Sequence, residues 1–80
     1  QLRSLAQAKR NANDGISLAQ TAEGSLSEIT NIATRIRELA VQASSDTVGD
    51  RERTFIDLEV QQLKEEINRI ATVASWNSVP

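Results

Sequence analysis

The chain has 80 residues, nine basic and eleven acidic, for a net charge of −2. That length sustains one small domain near the limit of what a single core can hold, and the interspersed signs leave no basic footprint for nucleic acid or an anionic membrane. Cysteine and histidine are absent, which removes disulfides, thiol chemistry, most zinc sites and the commonest general base, so no cofactor is expected.

The first element occupies residues 1–43. Ala12, Ile16, Ala19, Ala22, Leu26, Ile29, Ala33, Ile36, Ala40 and Ala43 recur at spacings of three and four. That period belongs to an amphipathic helix and not to a strand. Leu2, Leu5 and Ala8 extend the stripe backwards, so the helix is expected to start before residue 1. With no Met and no charged-then-apolar leader at the start, the chain is expected to be a piece of a longer one. Gly15 and Gly24 each cost about 1 kcal/mol relative to alanine inside a helix. The run Asn11–Gly15 (NANDG) is poor in helix formers, which leaves open a break into two shorter helices. No run of 18 apolar residues exists, so no membrane span is expected.

Residues 44–50, SSDTVGD, form the turn, where the stripe stops and Ser, Asp, Thr and Gly cluster. Asp50 is the candidate N-cap of the second helix, and Glu52 suits the positive end of its dipole. That helix is expected over 51–74. Ile56, Val60, Leu63, Ile67, Ile70 and Ala74 are spaced 4, 3, 4, 3, 4, the cleanest heptad seam in the chain. Phe55, Leu58 and Val73 widen its apolar face. Arg53, Asp57, Glu59, Gln62, Lys64, Glu65, Glu66 and Arg69 are assigned to the solvated face. The tail 75–80, SWNSVP, is expected to leave the helix, with Trp76 packing back over its end. The fold class is therefore all-α, a long helix and a shorter antiparallel one. The expected seam sets Leu26, Ile29, Ala33 and Ile36 against Ile56, Val60, Leu63, Ile67 and Ile70.

Length then becomes informative. At 1.5 Å per residue the helices measure about 65 and 36 Å. The second covers only the distal half of the first, roughly residues 20–43, and residues 2–19 keep a stripe without a partner. The stripe is rich in alanine, which suits close helix–helix contact better than a globular core. More of the parent chain, or other copies, is expected to complete the bundle.

Three clusters are candidates for chemistry. In TRIRELAVQ, residues 34–42, Arg35 pairs with Glu38 at i,i+3, and Glu38 faces Gln42 at i,i+4. Exposed pairs of this kind contribute tenths of a kcal/mol, so a solvated face is the plainer reading. The alternative is a recognition surface in which an arginine stands beside an exposed Leu39. Glu65 and Glu66 diverge by about 100° on a helix, poor geometry for an acid–base dyad. Arg3, Lys9 and Arg10 are too sparse for a polybasic segment. No phosphate loop, nucleophile elbow or metal spacing occurs, so an enzyme is not expected.

NANDGISLAQTAEGSLSEI, then IRELAVQAS, then the turn and EEINRIA closely resemble the N-terminal half of the helical core of bacterial flagellin, over nearly all of the chain. The resemblance implies a bundle completed by the C-terminal core helix of the same parent chain. It implies export by flagellar type III secretion, with a flagellar export chaperone as a possible partner, and assembly with other flagellin subunits into the extracellular filament used for motility. It also implies a second role as a ligand of Toll-like receptor 5, for which Arg35, Leu39, Gln42 and Glu59 fall at contact positions, with Arg37 and Glu38 adjacent. The ending departs from the family pattern Phe-Asn-Gly: Trp76, Asn77 and Ser78 stand there instead, which puts the following β-hairpin in doubt.

Overall fold

The computed structural model describes residues 1–78, with side chains to residue 76; Val79 and Pro80 lie outside the described residues. The described residues form two helices, α1 (Leu2–Ala43, 42 residues) and α2 (Asp50–Ser78, 29 residues). They form the all-α hairpin that the sequence predicts, a rod 70 × 17 × 9 Å. Among the described residues there is no strand, and no helix is long and apolar enough to cross a membrane.

Helix α1 runs unbroken through Asn11–Gly15. Periodicity overrides the weak local propensity there. The open alternative of a break is thereby closed. Gln7 also donates a hydrogen bond to Asn11 one turn on, at 2.9 Å.

Helix α2 departs from expectation at both ends. The amide of Arg53 donates to the carbonyl of Gly49 at 3.0 Å, so Gly49 holds the N-cap position and Asp50 is the first helical residue. Asp50 and Glu52 together place two carboxylates at the positive end of the dipole. At the other end the helix continues through Ser78, taking in four residues expected to be tail. Nothing in Ser75–Ser78 breaks a helix, because Ser and Asn merely propagate it poorly. Trp76 rides outward on this last turn at 80% exposure and does not fold back over the end.

The contact face of α1 comprises Ser25, Ile29, Ile32, Ile36, Leu39 and Ala43, all buried or half-buried. On α2 it comprises Ile56, Val60, Leu63, Ile67, Ile70 and Ala74, with Glu59 and Glu66 half-buried at its edge. Among the described residues the buried apolar side chains are Leu39, Ile56 and Ile70, with Leu39 the most deeply enclosed. Two expected seam residues are elsewhere: Leu26 is 62% exposed and Ala33 is exposed, and Ile32 and Leu39 stand in the contact instead. Side-chain size decides this. Ile32 and Leu39 remove far more apolar area from water than Ala33 and Ala40, so α2 rolls onto the larger ridge. Residues 2–24 of α1 are exposed throughout.

Candidate functional site

The hairpin has two flanks of different chemistry. Relative to the contact face, helical geometry puts Leu26, Ala33 and Ala40 about 100° round α1 in one sense, and Arg35, Glu38 and Gln42 round it in the other.

The polar flank is built by a pair that crosses between helices. The Arg35 Nε donates to Glu59 Oε2 at 3.0 Å, and its NH1 lies 3.6 Å from Glu38 Oε2. The sequence spacing indicated the Arg35–Glu38 pair; the Glu59 bond across 24 residues becomes visible once the hairpin is closed. All three side chains are roughly half-exposed, so the pairs contribute about 0–1 kcal/mol and serve orientation more than stability. Further along the same flank Arg69 forks onto Glu66, with Nε–Oε2 at 3.0 Å and a second bond between NH2 and Oε1. The hydrogen bonds from Arg69 hold the Glu66 carboxyl below its ordinary range. The same bonds, with Glu28 nearby on α1, raise the Arg69 guanidinium.

The structure separates the other residues of TRIRELAVQ. Leu39 is 2% exposed and lies in the α1–α2 contact, which corrects the expectation of an exposed anchor. Arg37 sits about 200° round the helix from Arg35, exposed and without an ion pair or hydrogen bond among the described residues. Gln42 is exposed, two turns from Arg35 on the same side. Glu59 and Glu66, assigned to the solvated face, instead edge the contact, and Arg53 reaches back across the turn to the end of α1.

The apolar flank carries a row of strict sevens: Leu5, Ala12, Ala19, Leu26, Ala33 and Ala40, all exposed. It runs beside Ile29, Ile36 and Ala43, which face α2. Such a row of small residues lets another backbone approach closely, and a repeat of seven is the coiled-coil signature. A shallow concavity on α2 is lined by Asn68, Ala71, Thr72, Ser75 and Trp76. One helix alone forms it, and it brings no titratable pair together.

A family model described as the bacterial flagellin N-terminal helical region matches residues 1–79. The chain is 50% identical over 78 residues, 98% of its length, to the phase 1 flagellin of Salmonella naestved and to flagellins of Salmonella dublin and Salmonella enteritidis. It spans about 15% of the length of these relatives. No solved structure matches it. A rod with an open heptad row, matched from end to end by that family model, belongs to the bacterial flagellin family as its N-terminal helical region.

Proposed function

We propose that this chain is the N-terminal core segment of a structural subunit of the flagellar filament, exported by flagellar type III secretion and polymerising outside the cell for motility. Flagellins are structural proteins and not enzymes. The observation that carries the filament reading is the open row Leu5–Ala40, left uncovered after α2 has docked. Its first occupant is the C-terminal core helix of the same parent chain, and the completed core then packs against other subunits. Head-to-tail packing that does not close generates a fibre. In the parent flagellin, Leu26→Glu with Ala33→Glu places charge on this row without touching the α1–α2 contact. Filament yield, measured by sedimentation and electron microscopy, falls below detection while helical content persists; filaments at the parental yield would remove the reading.

A second reading, a ligand module for Toll-like receptor 5, is favoured by one observation. Arg35, Glu38 and Glu59, three of the positions implied by resemblance, converge on one exposed ridge. Leu39 contributes there by setting the ridge from beneath. Arg35→Ala with Glu59→Ala removes the ridge at little cost in stability, and receptor signalling drops at least about tenfold with unchanged helicity. A parental response from that variant excludes this role.

A further inference from the structure

Helix α1 stops without any of the usual steric reasons. Its C-cap, Ser44, has φ −81° and ψ −5°, which is helical backbone. Among the described residues none, glycine included, has positive φ, so the left-handed cap that ends many helices is missing. The turn 44–49 holds no proline, and no basic residue lies in the last turn of α1 to meet the negative end of its dipole.

Ser44 Oγ donates to the Val41 carbonyl at 2.7 Å; the remaining side-chain donors at that end come from the other helix. Arg53 Nε donates to the carbonyl of Ala43 at 3.1 Å, and its NH2 donates to the carbonyl of Ser45 at 3.3 Å. Asp50 Oδ1 holds the third corner, 3.6 Å from NH1. Ala43 and Ser45 are the acceptors that the amides of Thr47 and Gly49 would use if α1 ran on, since a helical N–H bonds the carbonyl four residues back. The Val48 amide takes the Ser45 carbonyl at 3.2 Å and the Thr47 amide takes Ser45 Oγ at 3.3 Å. Competing hydrogen bonds therefore oppose continuation, beside the turn-forming composition of 44–49 and the packing of α2 on α1.

We infer that Arg53 is the latch of the hairpin: by occupying the Ala43 and Ser45 carbonyls it holds the turn, and without it α1 runs on through 44–49 and swings α2 away. Arg53 is a positioning residue, and its planar fork matters, because a lysine offers a point charge that cannot span two carbonyls in fixed geometry. The inference rests on the turn alone and does not depend on what the hairpin later joins.

These 80 residues contain no cysteine; with any cysteine elsewhere in the parent replaced by serine, closure can be read by crosslinking. In the full-length parent flagellin, Arg35→Cys with Glu59→Cys is treated with a short bis-maleimide, alone and combined with Arg53→Gln or Arg53→Lys. Arg53→Gln lowers the crosslinking rate about tenfold or more, the scale of a charge-assisted hydrogen bond, while helicity by circular dichroism holds or rises. Arg53→Lys lowers it by a smaller factor. An unchanged rate in Arg53→Gln overturns the inference. Should Arg53→Gln lose helicity, Arg53→Lys decides: a parental rate overturns the latch, and so does helix loss in both variants, since a latch acts on closure and not on helix formation.

Discussion

At the scale of single residues, the contrast between Leu39 and Leu26 is the sharpest. Both are leucines on one helix, thirteen positions apart, yet one is 2% and the other 62% exposed. Truncating a buried leucine to alanine costs about 2–5 kcal/mol, because a cavity is added to the lost transfer energy. Exposed positions change stability by about 0.5 kcal/mol or less. Leu39→Ala is therefore expected to lower the thermal midpoint of this chain by many degrees and Leu26→Ala to leave it within a degree or two, by circular dichroism melting. Equal effects would place the two residues in equivalent surroundings. The same contrast shows what was hidden in the residues. The apolar stripe of α1 contains three rows of sevens. Ile29, Ile36 and Ala43 form the middle row, which any partner uses. Leu26, Ala33 and Ala40 flank it on one side, and Ser25, Ile32 and Leu39 on the other. Periodicity picks out the longest continuous stripe, which includes the alanines. The partner that is present chooses the bulkier ridge. Arg53 carried no signal at all, since a cap delivered across a turn becomes visible only when the chain has folded back.

At the scale of the helices, the glycines of α1 are open to substitution within this hairpin. A methyl group added at Gly15 or Gly24 meets no atom within 4 Å. Each replacement recovers about 1 kcal/mol of helix propensity. Gly24→Ala should raise helical content and midpoint in the isolated chain, measured by circular dichroism; a fall would reveal a bend or contact at that position. Gly15 belongs to the middle row of sevens, with Ala22 and Ile29, so its replacement tests the approach of a further helix as well. The ends of α2 were legible only in part. The carboxylates at its start were plain from composition, but serine and asparagine near its finish read as tail and are helical, because weak propensity does not stop a helix that is already growing.

For the whole molecule, the decisive property is uneven protection along the rod. Residues 2–24 are all exposed, whereas every buried or half-buried residue of α1 falls within 25–43. Backbone hydrogen bonds that are unsupported by burial open locally at low cost. Amide hydrogen exchange in the isolated chain is expected to be fast over 2–24 and slower by about tenfold or more over 25–43. Adding the C-terminal core helix in trans should erase that gradient and raise total helicity. A uniform profile in the isolated chain would mean that the outer half is supported from within. The hairpin itself was readable from length and spacing, since a helix of 42 residues cannot be covered by one of 29.

The difference between the flanks of the rod has a consequence for orientation. One edge is salted with Arg35, Glu38, Glu59, Glu66 and Arg69, and on the other α1 presents a row of small greasy side chains. Such a body cannot be turned over and still present the same surface to a neighbour. An incoming helix that needs a dry bed is thus refused on one side before any close contact forms, and in a filament of the proposed kind every added copy would inherit the same sense of left and right.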